Sequence, residues 1–233
     1  SLVGSEMCIR DRLWISLKVA LPATIFTFVL GICAARTVVK LKHGQAVLDG
    51  LFTLPLVLPP TVVGFFLLLA FGKNSLVGQF FSQFGFSFIF SWQGAVIAST
   101  VVSFPLMYRT VRGAFEQINP EYLYAARTLG MTERKIFRKI MLPLAWPGIL
   151  AGTILSFARA LGEFGATIMI AGNIPGKTQT MSVAVYTAVQ AGDRESAFLW
   201  VMIIVCFSFV MMLALNFWTS FQVRLIRQKG AAK

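Results

Sequence analysis

The chain has 233 residues, of which 57% are hydrophobic and 13% charged, with a mean hydropathy of +0.75. No water-soluble domain of that length is so apolar, which leaves an all-α polytopic membrane protein. The formal net charge of +12 would suit a nucleic-acid binder, but no soluble domain remains to carry such a surface, so nucleic acid is excluded as a partner.

The first twelve residues, SLVGSEMCIRDR, open without methionine and differ in character from the apolar run after them. They read as a non-native or disordered leader (1–12) rather than a targeting signal and are set aside from the fold. A membrane-crossing helix needs ~20 largely apolar residues. Runs at 13–35, 50–71, 93–112, 144–170 and 198–221 meet that requirement and predict a bundle of five transmembrane helices. They form one domain over 13–221, followed by a basic tail at 222–233. The second run contains Pro55, Pro59 and Pro60. Each proline removes a backbone donor and pushes on the preceding turn, so that helix should bend or break near its middle. In lipid a break is tolerated only against protein or a wet cavity. A place beside a transport path and a kink used for packing both fit. Pro105, Pro143 and Pro147 make kinks possible in the third and fourth runs.

Between the third and fourth runs lies a polar segment, 119–143, NPEYLYAARTLGMTERKIFRKIMLP. Asn119 is placed to cap a short helix, Pro120 suits its first position, and Glu121 sits where the helix dipole favours an acid. Gly130 closes it, because the residue after a helix commonly takes the left-handed conformation that glycine adopts cheaply. Thr132 then caps a second short helix running towards Pro143. Tyr122, Ala125, Ala126 and Leu129 share one face by helical spacing, with the alanines allowing close approach and the larger pair giving grip. Such a segment, projecting from a membrane, is built to dock.

Loop charges orient the bundle. Arg36, Lys40 and Lys42 follow the first run, Arg109, Arg112, Arg127, Arg134, Lys135, Arg138 and Lys139 the third, and Arg224, Arg227, Lys229 and Lys233 the last. The other loops hold Lys73, and Lys177 with Arg194 offset by Asp193 and Glu195. Five spans then put the N-terminus outside and the C-terminus, with the docking segment, in the cytoplasm. The fourth run carries Arg159 and Glu163, i and i+4 on one helix face, flanked by Gly162 and Gly165. A lone charge in mid-bilayer costs on the order of 3 kcal/mol or more, so the two should pair and face protein or water. A gate-lining pair, with Arg159 attracting an anion, and a structural ion pair locking helices together are both open.

The spacing Ala125-Ala126, three residues, Gly130, nine residues, Ile140, one residue, Leu142-Pro143 resembles the E-A-A-x3-G-x9-I-x-L-P loop of ATP-binding-cassette (ABC) importer permeases. Tyr124 stands where the glutamate would be, the nearest acid being Glu121. The stretches ARALGEFGATIMIAGNIPGKTQT and LPLVLPPTVVGF resemble molybdate permeases, and sulfate/thiosulfate permeases share the R-x-x-G-E-[FY]-G core. Tungstate permeases lie close by. The resemblance implies a homodimeric permease bound to two ATP-binding subunits, which engage Glu121, Tyr122, Ala125, Ala126, Leu129, Gly130, Ile140, Leu142 and Pro143. It also implies an external oxyanion-binding protein as donor. Pro59, Pro60, Arg159, Gly162, Glu163 and Gly165 are the candidates for the translocation path or gate. An ion-coupled secondary carrier with Glu163 as proton site is the alternative from another class, and a transport-inactive membrane scaffold a third.

Three widely spaced cysteines (Cys8, Cys33, Cys206) and one histidine, His43, form no metal-ligand spacing or disulfide framework. Residues 171–178, AGNIPGKT, satisfy a relaxed phosphate-loop pattern. A working loop needs a strand before it and a helix opening at the lysine, whereas here a membrane helix precedes it and Pro175 stiffens it. No catalytic constellation is visible, so the chain is expected to have no enzymatic activity alone and no cofactor.

Overall fold

The computed structural model describes residues 2–41, 43–85 and 87–231. Of the charges that orient the chain, Lys42 and Lys233 lie outside the described residues, as do the side chains of Arg224, Arg227 and Lys229 and that of Cys8. The described residues form helices joined by loops, with no strand among them. In order they are α1 (Leu2–Lys40), α2 (Gln45–Val57), α3 (Pro60–Phe71), α4 (Leu76–Ser82), α5 (Trp92–Glu116), α6 (Pro120–Thr128) and α7 (Glu133–Ile136). A π-turn (Phe137–Met141) comes next, then α8 (Leu142–Leu161), α9 (Gly165–Ala171), α10 (Met181–Gln190) and α11 (Arg194–Ala231). Four stretches are long and apolar enough to cross a membrane: Arg10–Lys40, Trp92–Glu116, Glu133–Leu161 and Arg194–Ala214. The pair α2–α3 makes a fifth if counted as one span.

Helix α5 is the axis of the bundle, packed against both α1 and α8, which also touch each other. Its small residues, Ala95, Ala98, Ser99 and Ser103, are buried and let neighbouring backbones come close. The core has two layers. One gathers Val19, Ala98, Val102, Phe157, Ala160, Ala166, Ile170 and Trp200, and the other gathers Val38, Met107, Tyr108, Val111, Ile136, Met141 and Ile149. Helix α11 turns Leu199, Val205, Phe209 and Val210 outward, the surface a lipid-facing helix presents.

The second span breaks where its prolines stand. Helix α2 ends at Val57, Pro60 opens α3, and the two axes differ by 110°. Pro105 and Pro147, by contrast, lie inside helices that continue through them. The fourth span differs from the expected 144–170 at both ends. It begins at Glu133, because α7 passes through the π-turn directly into α8, so the second part of segment 119–143 is no separate short helix. It stops at Leu161, because Gly162 and the buried Glu163 interrupt the backbone before α9. An apolar run reads through such a break, since hydropathy does not register backbone dihedrals.

Two of the basic segments share one end of the bundle. Lys40 Nζ lies 3.9 Å from Glu133 Oε2, and the Arg36 guanidinium sits 3.9 Å above the Phe137 ring. The loop after α1 and the segment after α5 therefore emerge together, as a common charge bias requires.

Candidate functional site: a docking segment and a layer of helix breaks

Segment 119–143 forms its first helix by local chemistry. Asn119 Oδ1 accepts from the Glu121 amide at 3.0 Å, Pro120 takes the first helical position, and Gly130 has φ +71°. Thr132 stands at the N-cap of α7, yet its side chain makes no capping bond. Arg127 Nε donates to Glu133 Oε1 at 2.8 Å across the glycine turn. That bond, with the carboxylate's charge, holds the Arg127 pKa above its ordinary value. The pair is solvent-exposed, so it steers the turn more than it stabilises it.

The spacing-derived face is divided in the fold. Ala126 is buried against the bundle, whereas Tyr122 and Leu129 are 58% and 80% exposed. Tyr122, Ala125, Ala126, Leu129, Ile140 and Pro143 nonetheless line one groove of about 480 Å³, joined by Met131, Lys139 and Leu144. Leu142 is not in it and packs on the inner core instead. Glu121 turns back on its own cap, where its Oε2 accepts from Asn119 Nδ2 at 3.2 Å.

The candidates for the path also converge. A Cβ on Gly165 would lie 3.0 Å from Pro60 Cβ, and one on Gly64 only 2.8 Å from Ala166 Cα. The break between α2 and α3 thus sits against the break between α8 and α9. Gly162 ends α8, and Glu163 follows it outside any helix, so Arg159 and Glu163 do not share a helix face as expected. They still pair, Arg159 Nη1 lying 2.6 Å from Glu163 Oε2. That contact is an ion pair outside hydrogen-bond geometry, and Oε2 has no directed donor. Glu163 Oε1 accepts from the Ala166 amide at 2.8 Å and so answers a donor at the start of α9. The carboxylate is buried, 1% exposed, and the Arg159 side chain is 30% exposed. Among the described residues Glu163 is the ion-pair partner of this guanidinium, which carries five donors.

The phosphate-loop pattern does not build a phosphate site. Helix α10 opens at Met181, four residues beyond Lys177, and Thr178 is buried with its hydroxyl accepting from the Ile174 amide at 3.0 Å. Among the described residues no group of His, Cys, Asp and Glu could hold a metal ion. One feature of the site was signalled in the sequence only by the i,i+4 spacing of Arg112 and Glu116. Asp49, Tyr108, Arg112 and Glu116 line a polar cavity of about 420 Å³ between α2 and α5.

Comparison with known proteins is consistent with this geometry. The family described as binding-protein-dependent transport system inner membrane component matches residues 27–229. The putative molybdenum transport system permease protein YvgM of Bacillus subtilis is 48% identical over 85% of this chain and 88% of its own length. The molybdenum transport system permease protein ModB of Escherichia coli is 46% identical, covering 82% and 86%. The sulfate transport system permease protein CysT of Salmonella typhimurium is 38% identical, covering 87% and 73%. The inward-facing MetNI methionine ABC transporter shares the fold, with a TM-score of 0.74, 98% of both chains covered and 19% identity. The chain belongs to the inner-membrane component family of binding-protein-dependent transport systems.

Proposed function

We propose that this chain is the membrane-spanning, non-catalytic permease subunit of an ATP-driven molybdate importer. It works as a homodimer with two ATP-binding subunits and receives its oxyanion from an external binding protein. The single observation that carries this is the glycine-closed helix α6. Its exposed Tyr122 and Leu129 border a groove with Ile140 and Pro143 at the basic end of the bundle. A motor subunit seated there would displace α6 and, through it, α5 and α8 on either side. The cytoplasmic placement of that end follows from the loop charges. Molybdate is favoured over sulfate by the higher identity to the molybdenum permease; tungstate is the other ion of the same class.

At the breaks, Arg159 would face the gap between two copies with its charge balanced by Glu163. A guanidinium so balanced attracts a divalent oxyanion weakly, and weak binding lets an ion leave as well as enter. The carrier reading, with Glu163 as proton site, draws no support from the family. The test is reconstitution with an ATP-binding subunit and an oxyanion-binding protein from the same organism. Molybdate uptake should require ATP and the binding protein and should survive an uncoupler. Uptake that ignores ATP and collapses with the uncoupler would overturn the reading in favour of a carrier.

A further inference from the structure

The polar cavity between α2 and α5 has a hub, Arg112. Its guanidinium pairs with Asp49, its Nε donates to Glu116 Oε1 at 2.7 Å, and its Nη1 lies 3.4 Å from the Tyr108 hydroxyl. The Tyr108 hydroxyl in turn donates to Asp49. Both carboxylates and the hydroxyl are therefore answered inside the cluster, and no buried group in it is left waiting for an ion or a small molecule. The cluster joins elements rather than holding a ligand.

What it joins is specific. Helix α2 has no buried residue. Besides Asp49, it rests on the core through Leu48 and through Phe52, the latter set edge-on to Phe104 and Tyr108 at 5.6 and 5.2 Å between ring centres. Glu116 ends α5 with Arg112 one turn before it, and Asn119, three residues beyond Glu116, caps α6. At its other end α2 runs into the Pro59–Pro60 break, which rests on Gly165 beside Glu163. At 1.5 Å per residue α2 is a lever about 20 Å long. Its polar attachment lies towards the α6 end of the bundle and its other end at the Pro59–Pro60 break. The Arg112 and Asp49 side chains are 21% and 29% exposed. A pair that wet can part and re-form without the full desolvation cost of a buried one.

We propose that Arg112 and Asp49 are positioning residues that carry the displacement of α6 along α2 to the Pro59–Pro60 break, coupling the motor's stroke to the gate. This rests on the importer reading above. The test uses the full complex in proteoliposomes, measuring molybdate taken up per ATP hydrolysed together with assembly by size-exclusion chromatography. Asp49→Asn and Arg112→Gln should each lower that ratio about tenfold, a typical coupling effect. The double variant should fall no further, Asp49→Glu should recover the ratio, and assembly and ATP hydrolysis should hold. An unchanged ratio in Asp49→Asn overturns the proposal, as do losses that multiply in the double variant. Assembly falling in step with uptake makes the cluster a structural clamp and overturns it equally. Tyr108→Phe, which removes the hydroxyl's bonds to Asp49 and Arg112 but no charge, should give a smaller loss of ratio in an intact complex; no loss counts against the proposal. A wild-type complex with no ATP-dependent uptake sinks the importer reading and this inference with it, whereas wild-type uptake with an unaltered Asp49→Asn sinks the inference alone.

Discussion

The docking segment and the layer of helix breaks are held by different physics. Helix α6 stands on local devices: a capping asparagine, a proline at its first position, a left-handed glycine at its end and an exposed Arg127–Glu133 pair. The breaks at Pro59–Pro60 and Gly162–Gly165 stand on each other through close glycine contacts at Gly64 and Gly165, and the buried Glu163 carboxylate ties α8 to α9 across the second break. A locally held element can shift as a body without loss of the bundle. An element held by tertiary contacts cannot be altered without disturbing its neighbour.

That contrast orders the expected effects. Glu163→Ala leaves Arg159 unpaired and the Ala166 amide without its acceptor. Breaking a buried pair costs about 3–5 kcal/mol, and the partial exposure of Arg159 places this one near the lower end. We expect loss of transport together with loss of folded protein, measured by uptake and by thermal unfolding in detergent; stable protein with normal uptake would refute it. Gly64→Val comes next, since its side chain would meet Met169 Cβ at 2.7 Å and the Ala166 backbone at 2.8 Å. Overpacking of this kind costs about 1–3 kcal/mol. The melting temperature should fall, and an unshifted melt would mean that α3 and α9 are less tightly joined than their glycines imply.

In the docking segment the same measurements should separate. Gly130→Val meets nothing within 4 Å but forces a β-branched residue into a left-handed conformation, a local cost of about 1–2 kcal/mol. Membrane insertion should persist while ATP-driven uptake falls, and normal uptake by that variant would weigh against α6 as the docking element. Asn119→Ala removes one cap, worth about 1 kcal/mol. It should leave the melt of the bundle unchanged and lower the affinity for the ATP-binding subunit by a few-fold. A shifted melt would show that α6 is tied into the core more firmly than its local caps suggest.

The helical bundle, the second-span break and the caps of α6 were legible because each depends on residues contiguous in the chain, as does the fifth span when α2 and α3 are counted as one. Apolar length makes a span, Pro59–Pro60 stops a helix, and Asn119, Pro120 and Gly130 frame one. The divided face of α6 was not legible. Helical spacing puts Tyr122 and Ala126 together, and only the packing of Ala126 on the inner core separates them. The break at Gly162–Phe164 was hidden for a related reason. Its residues fit an apolar helix, and the buried capping role of Glu163 appears only once α9 turns away.

The amino-acid order by itself determined what is local and additive: an all-helical membrane chain, its charge bias and a short capped helix closed by Gly130. Tertiary structure alone decided that two interrupted helices meet at Pro60 and Gly165, and that Asp49 reaches Arg112 across 63 positions of chain. The reason is that a helix period reports which residues share a face, while the partner of that face is chosen by how distant segments can close-pack and satisfy their buried charges.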